Sequence, residues 1–239
     1  MRLSEIFLNV TSIHGRSPLS YFFYSSLKLH FGDHYKKFNF LPGNYYEFGV
    51  GAGNSLLAYI NAFRKFAKVR DKHIESCNVS SNVYAFDSFS GLPRIDSRKD
   101  LNPAWEEGMF SYSEEYVKML VGKKLTRQIS FRTIKGYFEQ SLTEELRDEI
   151  KYHPPSIVTI DADLYTSTKF VLEWLAPILQ NGTLIFFDDI WEYLGNPNKG
   201  EMAAILEFNS KGSQKLIDYY QHGIPALFGR TFIYNTCEK

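Results

Sequence analysis

The amino-acid sequence predicts an α/β fold whose sheet is mostly parallel. Short apolar runs rich in β-branched and aromatic residues recur along the 239 residues, and segments with helical periodicity lie between them. Three of these runs end at an aspartate, and the first run is followed by a glycine-rich turn. Strands that alternate with helices form parallel sheets covered on both faces, and such sheets bind ligands beyond the carboxyl ends of their strands.

The predicted elements follow one another from the first apolar run onward. That run, at 45–50, is a strand that leads through the glycines into a helix over 55–66, whose apolar residues recur at helical spacing. A helix over 167–179 has one apolar face and is ended or kinked by Pro177. The remaining predicted strands lie at 83–86, 129–134, 157–160 and 183–187, with a terminal antiparallel pair formed by 226–228 and 231–234.

The domain organisation is expected to be simple. A length of 239 residues with 44% hydrophobic content suits one α/β domain. Residues 1–44 are predicted to form an N-terminal helical or lid segment, and 45–239 the ligand-binding domain. The charged stretch 94–107, with Pro93 and Pro103 at its edges, is predicted to be a loop that can act as a mobile lid.

Bulk composition excludes several classes of function. The 27 basic residues balance the 27 acidic ones, so no overall field attracts nucleic acid or an anionic membrane. Two cysteines match neither a disulfide framework nor a cysteine-based metal site, and the sequence has no apolar run long enough to span a bilayer. We therefore expect a cytoplasmic protein whose partner is a small molecule, and the sequence leaves homo-oligomer formation open.

The glycine-rich turn reads Glu47-Phe48-Gly49-Val50-Gly51-Ala52-Gly53-Asn54-Ser55. Glycines let the backbone approach a ligand and adopt positive φ, and the following helix presents N–H groups. The spacing G-x-G-x-G departs from the dinucleotide fingerprint G-x-G-x-x-G, and an acidic residue before the glycines suits a cationic amino-acid end better than a pyrophosphate. The turn therefore favours S-adenosylmethionine over NAD. Its candidate binding residues are Glu47, Gly49, Gly51, Gly53 and Ser55.

Asp87 closes the second predicted strand. Acidic residues at this point of nucleoside-binding sheets accept hydrogen bonds from both ribose hydroxyls. An aspartate after a strand is also often a helix cap, so the assignment depends on the glycine turn that precedes it. With that turn present, Asp87 and the adjacent Ser88 are predicted to contact the cofactor.

Four aspartates follow two of the later strands. Asp161 and Asp188 come directly after predicted neighbouring strands, with Asp163 and Asp189 just beyond them. Four carboxylates at one edge of a sheet repel one another unless a hard divalent cation such as Mg²⁺ binds between them. Zinc is disfavoured because no histidine or cysteine is near these runs in sequence. The alternative is that Asp163 and Asp189 cap the helices that follow, and the carboxylates alone favour neither interpretation.

These motifs together resemble the macrocin O-methyltransferases, which belong to the class I S-adenosylmethionine-dependent methyltransferases with a Rossmann-like fold. The resemblance covers about 45–189. It is carried by Glu47-Phe48-Gly49-Val50-Gly51, Asp87-Ser88-Phe89-Ser90-Gly91-Leu92-Pro93, Gly108-Met109-Phe110-Ser111, Lys135-Gly136-Tyr137-Phe138, Asp161-Ala162-Asp163-Leu164-Tyr165-Thr166-Ser167-Thr168 and Asp188-Asp189. It implies a magnesium site formed by Asp161, Asp188 and Asp189, with Asp163 as general base, so Asp161 and Asp163 are the predicted catalytic residues.

The prediction for function is a divalent-metal-dependent O-methyltransferase that acts on a hydroxyl of a small molecule. A sugar or glycoside is the acceptor that the resemblance implies, but the chain departs from the family at 191–197, a region that faces the acceptor. A metal-independent methyltransferase and a nicotinamide-dependent enzyme remain as alternatives. The metal-independent methyltransferase would keep its activity after chelation, and a nicotinamide-dependent enzyme does not explain the four aspartates.

Overall fold

The computed structural model describes residues 18–68, 79–219 and 229–237, and these contain one seven-stranded sheet. The strands are β1 (Tyr45–Phe48), β2 (Ser81–Asp87), β3 (Ile129–Lys135), β4 (Ile157–Ile160), β5 (Leu184–Phe187), β6 (Gln214–Asp218) and β7 (Arg230–Thr236). Their order is β3-β2-β1-β4-β5-β7-β6, with the first five parallel and β7 antiparallel to both of its neighbours. The predicted mostly parallel sheet with a terminal antiparallel pair is confirmed.

Helices precede β1, connect the parallel strands and follow β5. They are α1 (Pro18–His30), α2 (Asp33–Lys36), α3 (Asn54–Phe66), α4 (Glu114–Gly122), α5 (Phe138–Ser141), α6 (Glu144–Ile150), α7 (Tyr165–Leu175) and α8 (Gly200–Ser210), with a 3₁₀ turn at Ala176–Ile178. The predicted helix over 167–179 thus begins two residues earlier and tightens at its end, where Pro177 has no N–H to donate. Within the described residues, no helix combines the length and the apolar character needed to cross a membrane.

The central strands are apolar on both sides because helices cover both faces of the sheet. All four residues of β1, of β4 and of β5 are buried. This is the pattern expected of parallel strands, and it explains why these runs could be recognised from the sequence. Glu47 in β1 and Thr159 in β4 are the polar exceptions, and they lie side by side in the parallel register.

The described part of the N-terminal segment packs against the same core. Phe22 and Phe23 of α1 are fully buried. The ring of Phe23 meets those of Tyr45 and Tyr59 edge to face, with centroids 5.3 and 5.4 Å apart. Aromatic contacts of this kind contribute about 0.5–1.5 kcal/mol each beyond the buried area. The helical part of 1–44 therefore shares its core with the sheet, while 1–17 lie outside the described residues.

The terminal strand pair differs from the prediction in its partner. β7 pairs with β6, where Leu216 is opposite Tyr234, and the predicted partner segment 226–228 lies outside the described residues. β6 was missed because it is an edge strand with the sequence QKLID, in which only Leu216 is buried. Charged residues on an edge strand discourage pairing with other chains, but they also remove the apolar signal of a strand.

Candidate active site

A cleft opens at the carboxyl edge of the sheet, where sheets of this kind bind their ligands. It contains about 550 Å³ of empty space, including the part open to solvent. Its walls come from the turns that follow β1, β2, β3 and β4, and from loop residues that include Phe110. Six of the residues predicted from the sequence line it: Gly49, Gly51, Asp87, Ser88, Asp161 and Asp163.

The glycine turn after β1 uses left-handed backbone at all three glycines. The φ angles are 83° at Gly49, 52° at Gly51 and 81° at Gly53. A Cβ atom on Gly49 would lie 1.8 Å from the carbonyl oxygen of Asp161, so the turn fits against β4 only without a side chain. Gly53 begins α3 and packs on Val117, away from the residues that line the cleft.

Asp87 joins the glycine turn to the turn that follows β2. Its Oδ2 accepts hydrogen bonds from the backbone N–H groups of Val50 (2.6 Å) and Gly51 (3.0 Å), and its Oδ1 accepts one from Phe89 (2.6 Å). Ser88 donates from Oγ to the carbonyl of Gly91 at 2.9 Å. Both residues line the cleft as predicted for cofactor contacts, and both also fix the backbone around it.

Glu47 and Ser55 lie behind the cleft rather than in its wall. Glu47 has no exposed surface and accepts hydrogen bonds from the hydroxyls of Tyr45 (Oε2, 2.6 Å) and Ser55 (Oε1). Neither Glu47 nor Ser55 is among the described residues that line the cleft. Their hydrogen bond joins β1 to the first turn of α3, and the predicted direct contact with the cofactor stays a prediction.

Three of the four predicted aspartates come together after β4 and β5. Carboxylate oxygens of Asp161, Asp163 and Asp189 all lie within 4.8 Å of one another. Asp163 has a φ of 59°, in the left-handed region, and its backbone N–H donates to Asp189 Oδ2 at 3.2 Å. Asp188 directly follows β5, and its backbone N–H donates to the carbonyl of Ile160. Among the described residues, Asp188 is not part of the group of three carboxylates whose oxygens lie within 4.8 Å of one another.

A fifth carboxyl group, that of Glu201, lies close to these aspartates, and the sequence analysis did not identify it. Glu201 is in the first turn of α8, is 1% exposed, and accepts a hydrogen bond from the backbone N–H of Asp189 at 2.9 Å. Burial raises its pKa well above the usual range, and the charges of Asp161 and Asp188 raise it further. An acidic residue in the first turn of a helix is ordinarily a dipole partner, so the sequence carried no specific signal.

The loop predicted as a lid, 94–107, is anchored beside the acidic cluster. Asp100, which is 1% exposed, accepts hydrogen bonds from Thr166 N (3.3 Å, Oδ1) and Thr166 Oγ1 (2.7 Å, Oδ2) in the first turn of α7. Tyr193 donates to the Asp100 carbonyl at 2.9 Å, and its ring meets that of Trp105 edge to face. The first turn of the helix after Asp163 thus donates two hydrogen bonds to Asp100 in this loop.

Comparison with known proteins assigns the family. A family model described as macrocin-O-methyltransferase (TylF) matches residues 37–212. The chain belongs to this family. No curated protein matches the sequence.

Solved structures support the fold of this methyltransferase. The calicheamicin methyltransferase CalS11 is 20% identical with a TM-score of 0.65, covering 98% of this chain and 86% of its own. The O-methyltransferase NovP is 21% identical with a TM-score of 0.64, covering 96% and 84%. An O-methyltransferase from Bacillus cereus, in complex with SAH, is 15% identical with a TM-score of 0.51, covering 96% and 89%. A further CalS11 structure is described as a TDP-rhamnose 3'-O-methyltransferase.

The family decides between the predicted activities. The protein is an S-adenosylmethionine-dependent O-methyltransferase, so the nicotinamide alternative falls away. Gly49 and Gly51, which are predicted to bind this cofactor, line the cleft, and their contact with the cofactor stays a prediction. The predicted family and the predicted S-adenosylmethionine-dependent methyltransferase activity are confirmed.

The buried carboxyl behind the glycine turn is held mainly in its neutral form. Burial raises the pKa of Glu47 to about 8, against an opposing effect of its hydrogen bonds from Ser55 and Tyr45. Because this folded pKa is above the ordinary value of 4.5, folding is favoured by protonation. The associated stability is present below about pH 4.5 and is lost as the pH rises through 8.

We expect Glu47→Gln to change the pH dependence of stability in the methyltransferase. Glutamine cannot ionise, so the variant should gain free energy of unfolding relative to the parent as the pH rises from 5 to 9, on the order of a few kcal/mol. Urea unfolding at pH 5, 7 and 9 measures this difference. Glu107→Gln, which removes an exposed carboxyl, is the matched control. If the free energy of unfolding changed with pH in the same way for the parent and for Glu47→Gln, the raised pKa of Glu47 would be contradicted.

Proposed function

We propose that this methyltransferase transfers a methyl group to a sugar hydroxyl, with Asp163 as general base and a divalent cation bound by Asp161, Asp188 and Asp189. The observation that carries the proposal is the position of the carboxylate trio. Asp161 and Asp163 line the same cleft as the glycine turn, and their oxygens lie within 4.8 Å of one another and of Asp189. Methyl donor and hydroxyl activation would then meet in one cleft.

The donor set suits a hard divalent cation. It consists of carboxylate oxygens alone, which Mg²⁺ and Mn²⁺ prefer, and it has no histidine or cysteine among the described residues. Carboxylates this close repel one another in a partly buried site unless positive charge is present. Asp188 lies near the same carboxylates, because its charge raises the pKa of the buried Glu201 carboxyl. Asp188 therefore remains in the proposed ligand set beside the trio.

The chemistry divides between the cofactor, the ion and the chain. S-adenosylmethionine supplies an electrophilic methyl group. A divalent cation lowers the pKa of a hydroxyl that it contacts. Asp163 accepts the proton of the hydroxyl, and its left-handed backbone and its hydrogen bond to Asp189 hold it at the cleft wall. The glycine turn and Asp87 orient the donor, since an in-line transfer depends mainly on alignment.

A sugar is the acceptor that the relatives favour. The family is described as macrocin-O-methyltransferase, and CalS11 is described as acting on TDP-rhamnose. The cleft wall offers Leu92, Pro93 and Phe110, which form an apolar surface on which the C–H face of a sugar ring can rest. An assay that offers nucleotide-linked sugars and sugars attached to an aglycone in separate reactions would identify the acceptor class.

Removal of the cation is expected to stop the reaction. After dialysis against EDTA, turnover should fall at least 100-fold and return on addition of Mg²⁺ or Mn²⁺, because the hydroxyl loses its activating ion. Asp161→Asn should reproduce the loss while S-adenosylhomocysteine binding, measured by calorimetry, is partly retained. Asp148→Asn removes an exposed carboxylate on α6 and serves as the control. Full activity after exhaustive chelation would show that the methyltransferase does not need a metal ion.

A further inference from the structure

Glu201 lies beside the proposed cation site but has no part in the reaction described above. It is the second residue of α8, twelve residues after Asp189, and the intervening turn folds back so that Glu201 Oε2 accepts a hydrogen bond from the Asp189 backbone N–H at 2.9 Å. Only 1% of the residue is exposed. It is thus a deeply buried carboxyl in direct contact with the backbone of a proposed ligand.

The protein surroundings of Glu201 do not explain why a carboxyl group is present there. Its Oε1 is buried and has no hydrogen-bond partner among the described residues. A buried polar atom without a partner is destabilising. The neighbouring charges of Asp161, Asp188 and Asp163 further disfavour an ionised carboxyl at this position. A group that binds at this point and needs a negative, hydrogen-bond-accepting neighbour would account for it.

We propose that Glu201 is a positioning residue of the cation site, an inference that rests on the cation-dependent function proposed above. Its Oε2 fixes the backbone of Asp189, which keeps that carboxylate near Asp161 and Asp163. Its Oε1 accepts hydrogen bonds from the hydrated ion, and its charge adds to the attraction. Mg²⁺ retains several waters in protein sites, and partners in this outer layer change metal affinity about 10–100-fold.

Glu201→Gln tests the proposal with little change of shape. Glutamine keeps one oxygen for the Asp189 N–H but replaces the other oxygen with a donor and removes the charge. We expect the Kd for Mn²⁺, measured from the electron paramagnetic resonance signal of free Mn²⁺ without any substrate, to rise about 10–100-fold. Glu192→Gln, which removes an exposed carboxyl in the same turn, should bind Mn²⁺ like the parent.

Thermal unfolding distinguishes this role from a purely structural one. Without Mn²⁺, Glu201→Gln should unfold at the same temperature as the parent or higher, because glutamine keeps an oxygen for the Asp189 N–H and cannot ionise in this buried position. On addition of Mn²⁺ it should gain less than the parent, in proportion to the weaker binding. A structural role predicts the reverse: a lower Tm without Mn²⁺ and an unchanged Kd.

The outcomes separate this inference from the function on which it rests. A Mn²⁺ Kd for Glu201→Gln within twofold of the parent value overturns the role of Glu201 while leaving the cation site in place. Absence of Mn²⁺ binding by the parent protein overturns both the cation site and the role of Glu201. Weaker binding by Glu201→Gln together with unchanged binding by Glu192→Gln supports the proposal.

Discussion

Asp163→Asn is expected to lower kcat by about 10²–10⁴-fold, the usual contribution of a positioned general base. The substitution removes the proton acceptor but conserves the geometry. Asparagine tolerates left-handed backbone, so the φ of 59° is retained, and the backbone N–H can still donate to Asp189 Oδ2. The loss of activity should therefore report on proton transfer rather than on misfolding.

Two measurements check this expectation. Steady-state kinetics at saturating Mg²⁺ give kcat, and calorimetry with S-adenosylhomocysteine gives cofactor affinity, which should change little because Asp163 is not assigned to the cofactor. Asp163→Ala would confound the test, since alanine adopts a positive φ at a cost of about 1–2 kcal/mol. A kcat for Asp163→Asn within fivefold of the parent would mean that another group accepts the proton.

The fold was predictable wherever burial on both faces gave a strand an uninterrupted apolar sequence. The predicted strand 157–160 agrees with β4 residue for residue, and 183–187 differs from β5 by one residue at its start. β6 was not predicted, because an edge strand is exposed and its charged residues resemble those of a loop. The hydrophobic pattern thus identifies fully buried strands most directly, although β3, with two buried residues, was also predicted at 129–134.

The residues of the site that could be predicted are those that lie at or next to the ends of strands. Gly49, Asp87 and Asp161 directly follow strands or end them, and parallel strands bring those ends to one edge. Asp100 and Glu201 reach the site through a loop and a helix start, which no local pattern connects to it. Their contacts are between residues far apart in the chain or across an irregular turn, so only the folded structure assigns them.

The sequence also did not show how deeply individual residues are buried. Glu47 was predicted to contact the cofactor from its position before the glycines, yet alternation along a strand does not say which polar residue is buried beneath a turn. In the structure its carboxyl is paired with Tyr45 and Ser55 under that turn. The direct contact between Glu47 and the cofactor therefore stays a prediction.

Gly49→Ala is expected to abolish cofactor binding and to destabilise the protein severely. The new Cβ atom would lie 1.8 Å from the carbonyl oxygen of Asp161, and since both partners are backbone, no side-chain rotation relieves the overlap. The turn would have to move away from β4, carrying Gly51 with it and breaking the hydrogen bonds to Asp87. We expect a loss above about 4 kcal/mol in the free energy of unfolding, a size reserved for specific structural conflicts.

Gly53→Ala separates this overlap from the cost of left-handed backbone. The two glycines have nearly the same φ, 83° and 81°, but a Cβ atom on Gly53 would meet only Val117 side-chain atoms at 3.6 Å. Gly53→Ala should therefore lose only about 1–2 kcal/mol. Urea unfolding compares the stabilities, and calorimetry with S-adenosylhomocysteine compares the binding. Equal losses for both variants would show that the contact between Gly49 and Asp161 imposes no constraint of its own, so that φ alone explains the glycine.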